Sequence, residues 1–222
     1  MKRKTLMSWS SGKDSAWALQ QLLNNPEYEV VGLFSTINKN VDRVAMHGVR
    51  VELLKAQANS IGLPVEIINL PDPCSNDDYE NIMNAFIDKA KADNIECMAF
   101  GDLYLKEIRK YREDQLRDTG IEPIFPIWGI PTHELSNILL ENGIKTVISC
   151  VDSEQIPEDF AGKNYDHDFL ESLPATADPC GENGEFHSFV YNGPMFKEAI
   201  EISVGEKYIK GQFVFVDLLP TI

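Results

Sequence analysis

Ser8-Trp9-Ser10-Ser11-Gly12-Lys13-Asp14-Ser15 stands between an apolar run, Thr5-Leu6-Met7, and a helix-like run, Ala16-Trp17-Ala18-Leu19. Strand, small-residue turn and helix follow in the order that builds a cradle for an anion. Ser10, Ser11 and Gly12 carry little side-chain bulk, so backbone amides approach a ligand closely, and a helix beginning near Asp14 aims its free N–H groups the same way. A plain N-cap supplied by Ser10 or Ser11 is the alternative use of such a turn. The Walker pattern of two spaced glycines followed by Lys and Ser or Thr does not occur here.

Outward from this turn, apolar strands and amphipathic helices alternate. Residues 29–36 read as a buried strand. Residues 47–61 read as a helix that His47 opens, with Val51, Leu54, Ala58 and Ile61 at helical spacing and Gly62 and Pro64 closing it. Residues 65–70 form the next strand, Asp77-Asp78 opens an acidic helix through Met83, Phe86, Ile87 and Ala90, and residues 97–100 form a strand that ends at Gly101-Asp102. This alternation predicts an α/β fold, Rossmann-like, with a parallel sheet, flanking helices and ligands at the carboxyl ends of the strands. Those ends are the cradle, Ser35-Thr36-Ile37-Asn38 and Gly101-Asp102.

Pro123, Pro126 and Pro131 suit an extended connector. A boundary at Trp128 divides the chain into a nucleotide-binding domain, 1–128, and a smaller α+β C-terminal domain, 129–222, for the substrate. The latter is expected to hold a helix at 132–141, a strand at 146–150, a turn-rich segment at 177–193, and strands at 199–204 and 212–216.

The chain has 222 residues and a net charge of −15, from 35 acids against 20 bases. Such a field repels phosphodiester backbones, so the expected partner is a metabolite or a protein and no nucleic acid. Cys74, Cys97, Cys150 and Cys180 are widely spaced with no CxxC pair, which reads as free thiols in a reducing cytoplasm. Lys2-Arg3-Lys4 is followed by no apolar signal region, and no run is long enough to span a membrane.

Three stretches carry chemistry. Asp14, beside phosphates, needs a cation and is the candidate ligand for Mg²⁺, with Lys13 as a point charge on a phosphate. After Gly101-Asp102 come Arg109 and Arg112, three apart and so on one face of a helix, where they would grip an anion; Glu113 is placed to pair with Arg109. Asp178-Pro179-Cys180-Gly181-Glu182-Asn183-Gly184-Glu185-Phe186-His187-Ser188 contains an Asn-Gly hairpin signal. It also crowds acids, a Cys and a His into one turn, as a site that orients an amine and moves protons would.

Ser10 to Ser15 resembles the S-G-G-x-D-S loop of the PP-loop ATP pyrophosphatases, with Ser11 in place of the first Gly. Together with His47-Gly48-Val49, Tyr111-Arg112-Glu113, Pro126-Ile127-Trp128 and Cys180-Gly181-Glu182-Asn183-Gly184-Glu185, it makes the chain similar over nearly its whole length to the diphthine–ammonia ligase family. Archaeal and eukaryotic members carry G-E-Y-E-T where Gly184-Glu185-Phe186-His187-Ser188 stands here. That departure points to a bacterial-type branch, for which a part in cobalamin salvage is one suggestion.

The resemblance implies ATP and Mg²⁺ as cofactors. The phosphates would lie on Ser10, Ser11, Gly12, Lys13, Asp14 and Ser15, with Ser35, Thr36, His47, Gly101 and Asp102 also around the nucleotide. A substrate carboxylate attacks the α phosphate, pyrophosphate leaves, and ammonia displaces AMP. Arg109, Tyr111, Arg112, Glu113, Cys180 and Gly184 are then expected to bind a small or protein-borne acid, and Glu182, Glu185 and His187 to place ammonia or the acid and accept its proton. Two rivals are a bacterial paralogue with another AMP-forming reaction and a non-catalytic ATP-sensing module. A homodimer is left open.

Overall fold

The computed structural model describes residues 1–44 and 46–221. The first half runs β1 (Arg3–Ser8), α1 (Lys13–Asn24), β2 (Tyr28–Asn38), β3 (Arg43–Val44), α2 (Val51–Ile61), β4 (Val65–Leu70), α3 (Asn76–Ala92), β5 (Cys97–Ala99), α4 (Lys106–Leu116) and β6 (Glu122–Ile124). The second runs α5 (Thr132–Glu141), β7 (Lys145–Asp152), α6 (His167–Ser172), β8 (Phe186–Asn192), β9 (Ile202–Lys210) and β10 (Phe213–Pro220).

β1 is the middle of a six-stranded sheet in which β2 and β5 flank it, β4 lies outside β2, and β6 lies outside β5. All these pairings are parallel; only β3 runs antiparallel, against the end of β2. The chain builds outward from β1 on one side, then returns to build the other side from β5. The carboxyl ends of β1 and β5 therefore flank a switch point, where loops diverge and leave a crevice.

Strand alternation sends neighbouring side chains to opposite faces. Phe34, Met98 and Phe100 join Met83, Phe86, Ile87 and Ala90 of α3 in one cluster. That helix begins at a capping box in which Ser75 and Asp78 satisfy each other's backbone N–H. Met7, Leu33 and Ala99 face the other way, into a larger cluster shared with α1, α2 and the second sheet. This second sheet is antiparallel, in the order β8-β7-β10-β9. Leu19 and Leu22 of α1 and Leu53 and Leu54 of α2 share that cluster with Phe189, Val190 and Val214, so one core runs from the parallel sheet into the antiparallel one.

Several sequence expectations move. α2 starts at Val51, because Gly48 and Met46 adopt positive φ; His47 thus lies in the loop before the helix and does not open it. The proline-rich connector contributes β6, an edge strand where a missing N–H is tolerated. The segment expected to be turn-rich gives way after Glu185 to β8, and the strand expected at 199–204 begins at Ile202 and runs to Lys210.

Candidate active site

The turn after β1 enters α1 through Ser11 at φ 72, a left-handed conformation that a side chain disfavours. Gly12 precedes the helix, and no side chain caps it in the usual way. Instead Ser10 Oγ accepts the Gly12 N–H at 3.3 Å and lies 3.1 Å from Ser15 Oγ, which donates to the Gly12 carbonyl at 2.9 Å. The first intrahelical bond is from Ala16 N–H to the Gly12 carbonyl, so the amides of Asp14 and Ser15 have no acceptor within the helix. Gly101, at the end of β5, comes against this helix start. A Cβ there would stand 3.0 Å from the Ser15 nitrogen, so only glycine allows the approach.

Two chambers open beside the loop. The first, about 270 Å³, is lined by the loop and by Gly101, Asp102, Cys180, Glu182 and Gly184. The second, about 290 Å³, lies at the end of β2, where Ser35 and Thr36 meet Phe34, Val44, Tyr79 and Met83. Ser8, Ser10, His47, Arg112 and His187 line both.

At this junction the Arg112 Nε and His187 Nε2 atoms are buried without a hydrogen-bond partner, as are Asp102 Oδ2 in the first chamber and Ser35 Oγ in the second. Arg112 and Asp102 approach only to 3.9 Å. Polar atoms left this way are costly unless a ligand engages them.

Lys13 is not a free point charge. Its ammonium is buried, donates to both Asp14 oxygens at 3.1 and 2.9 Å and to the Cys180 carbonyl, and lies 5.2 Å over the Phe186 ring. Burial, the largest single influence, would depress the amine's pKa, but the groups that face it, Asp14 first and then Cys180 and Glu182, together raise it and keep the ammonium charged. Asp14 is driven upward by burial against the pull of Lys13, and Asp102 by burial against the pull of Arg112.

Glu182 accepts the amides of Leu103 at 2.9 Å and Tyr104 at 3.4 Å, tying the C-terminal turn to the Gly101-Asp102 loop. Burial pushes its carboxyl up to about 7. Glu185 behaves differently. It is fully buried and accepts from the Asp178 and Asn183 amides and the Asn183 side chain, so it braces the turn and does not reach the cavity as a proton acceptor. Cys180 gives its thiol hydrogen to the Thr132 carbonyl, and burial raises the thiol to about 12, which removes it as a nucleophile.

His47 and His187 lie against each other with ring centroids 4.8 Å apart and the rings tilted by 41°. The Nδ1 of His47 lies 3.0 Å from the Ser188 carbonyl, an acceptor, so this nitrogen carries the proton. Burial lowers His47 to about 4; burial together with His47 and Lys13 lowers His187 to about 3. Both rings are neutral near pH 7, and His187 is too weak a base for the proton-accepting part expected of it.

The second constellation divides. Arg112 reaches the junction, resting 4.9 Å over Phe100, whereas Arg109 pairs with Glu113 at 2.8 Å and lies over Phe125 and Trp128, outside both chambers. Tyr111 packs against Tyr79 and lines neither chamber. Ser188 was not singled out from sequence, yet its hydroxyl accepts the Lys13 N–H at 3.3 Å and its carbonyl orients His47.

Among the described residues no cluster of three or more His, Cys, Asp or Glu is arranged to hold a metal. Asp14 and Asp102 both line the first chamber, where Asp102 Oδ2 is buried without a partner while both Asp14 oxygens accept the Lys13 ammonium; one or two carboxylates are the protein donors that Mg²⁺ takes beside phosphate oxygens and water. No described helix is long and apolar enough to cross a membrane.

Residues 3–123 match the family model described as diphthamide synthase N-terminal domain, and residues 132–219 match that for the diphthamide synthase C-terminal domain. A comparison with curated proteins found no match. The two models between them take in the loop after β1, both chambers and the late acidic turn, and the chain belongs to the diphthamide synthase family, of PP-loop ATP pyrophosphatase type.

Proposed function

We infer that the chain is an ATP-dependent ligase that adenylates a carboxylate, releases pyrophosphate and forms an amide with ammonia. The observation that carries this reading is the junction of the two chambers. Arg112 and His187 line both and hold buried polar atoms without partners, at the place an α phosphate would take if adenine filled the second chamber and the β and γ phosphates lay on the loop.

A carboxylate oxygen entering the first chamber attacks the α phosphorus, and the bond to pyrophosphate breaks. The amides of Asp14 and Ser15 meet the charge that gathers on the leaving group. Arg112 and the neutral His187 donate hydrogen bonds to the α-phosphate oxygens. Mg²⁺, when bound by Asp14 with Asp102, supplies charge neutralisation for the polyphosphate. Ammonia then attacks the acyl carbon, AMP leaves, and Glu182, poised near neutrality, takes the surplus proton. Lys13 holds Asp14 in place and joins α1 to the late turn.

The net charge of −15 favours a metabolite or protein-borne acid over a nucleic acid. The free Cys74, Cys97, Cys150 and Cys180 favour a reducing compartment such as the cytoplasm.

Incubation with ATP, Mg²⁺, ammonium and a panel of carboxylic acids is expected to yield AMP, pyrophosphate and an amide. ADP and phosphate would overturn the α-phosphate mechanism, and AMP without amide would assign a different acceptor. Asp14→Ala is expected to lower turnover by about a hundredfold or more with a native circular dichroism spectrum. Unchanged turnover would remove Asp14 from the mechanism.

A further inference from the structure

α2 carries an apolar stripe of Leu53, Leu54, Ala58 and Ile61, and in the middle of it, fully buried, stands Gln57. A primary amide in such a place is costly unless each of its hydrogen-bonding groups is met. They are met. Its Oε1 accepts the Trp9 indole N–H at 2.8 Å, and its Nε2 donates to the Ser11 carbonyl at 3.1 Å and to the Val190 carbonyl at 2.6 Å. Turning the amide over would set donor against donor at Trp9 and oxygen against oxygen at the other two, so only one orientation works.

The three partners belong to the beginning of the loop, its left-handed residue and a strand of the far sheet. The backbone N–H of Trp9 donates to the Phe34 carbonyl, and that of Val190 donates to the same Ser11 carbonyl at 2.9 Å. Two donors on one carbonyl fix the peptide plane between Ser11 and Gly12, and with it the direction in which the loop presents its amides. Ser11 has φ 72, where a glycine would sit without strain.

We propose that Gln57 is a positioning residue for the phosphate loop, holding Ser11 in the left-handed conformation that its side chain disfavours and locking the loop to β8. The proposal rests on the nucleotide reading above and adds to it a residue that touches neither ATP nor acceptor.

The test is the ATP dissociation constant by calorimetry, with KM and kcat for AMP formation and thermal melting followed in parallel. Gln57→Leu is expected to raise the dissociation constant and KM about tenfold in a chain that still melts cooperatively. Adding Ser11→Gly to that variant is expected to recover most of the loss, since glycine needs no support at positive φ. A role confined to core stability would lower the melting temperature without this rescue. Trp9→Phe, which keeps an aromatic ring and removes only the N–H that anchors the amide, serves if Gln57→Leu does not fold, and is expected to weaken ATP binding several-fold.

Unchanged ATP affinity in either folded variant, or a loss that Ser11→Gly leaves in place, would overturn the proposal. A wild-type protein that binds ATP but forms no AMP would sink the ligase reading while the binding measurements still decide on Gln57. One that binds no ATP would overturn both.

Discussion

Glu182 and the histidine pair share one cavity, and burial moves both kinds of group toward neutrality, which gives their titrations opposite effects on stability. Glu182 rises from its ordinary 4.5 to about 7, so between those values the folded chain holds a proton that the unfolded chain has lost. That contribution is present at low pH and disappears as pH rises through 7. His47 and His187 fall from 6.5 to about 4 and about 3, so below pH 6.5 the unfolded chain takes up protons that the folded chain refuses, and stability is lost as pH falls. The windows overlap between 4.5 and 6.5, where one proton linked to folding changes stability by at most about 1.4 kcal/mol per pH unit, and by less for the partly solvated Glu182. Two histidines outweigh one glutamate, so the wild type is expected to lose stability mildly on acidification. Glu182→Gln should steepen that loss and His187→Gln should flatten it; parallel melting curves between pH 4.5 and 7 for all three proteins would refute the assignment. The crowding of acids and His187 in one turn was legible in the sequence. The division of labour was not, because the amides that spend Glu185 come from its own turn, while His187 is weakened by burial and by His47 and Lys13, which are distant in the chain.

At the level of elements, the strand and helix alternation of the first half was readable because its stripes are regular, as with Met83, Phe86, Ile87 and Ala90 on α3. β8 was hidden by the Asn-Gly turn before it, and the start of α2 by a loop whose positive φ values have no hydrophobic signature. Gln57 did carry a signal, a polar residue inside an apolar helical stripe, but periodicity alone does not say which partners meet it. α4 shows the limit of spacing arguments. Arg109 and Arg112 do lie near each other on that helix, yet only Leu116 is buried, and the boundary of the cleft passes between the two guanidiniums. Arg112→Gln is therefore expected to raise the KM for ATP about tenfold, while Arg109→Gln leaves it within about twofold and costs about 1 kcal/mol of stability, from the cation over Phe125 and Trp128 and the half-exposed ion pair with Glu113. Equal effects of the two changes on KM would mean that the helix as a whole grips the nucleotide.

Across the whole molecule, the loop that carries His47 is held from the far end of the chain. Asp217 on β10 accepts Arg43 at 2.9 Å and takes Arg50 through both oxygens, at 2.9 and 2.6 Å, while Arg43 also donates to the Gly48 carbonyl and lies over the Tyr208 ring. Tyr208 stacks on Phe215, whose ring edge would meet a Cβ at Gly48. The antiparallel hairpin thus encloses both ends of the 43–50 segment, and His47 hangs between them into the cleft. The two guanidiniums, Arg50 first, hold the Asp217 carboxyl down to about 2, so its contribution is complete above the ordinary value of 3.8 and is lost only as pH falls toward 2. Asp217→Asn removes the charge but keeps the shape. It is expected to cost about 1–2 kcal/mol of stability near pH 7, since the ion pairs are lost and the amide nitrogen, a donor, replaces one of the two oxygens that accept the guanidinium N–H groups at this half-buried site. It is also expected to raise the KM for ATP about threefold through His47, without any contact to the nucleotide. The stability difference from wild type should shrink as pH falls from 3.8 through about 2 and vanish only below that value. A variant destabilised by that amount but with an unaltered KM would show that the hairpin supports the core and leaves the cleft wall to position itself.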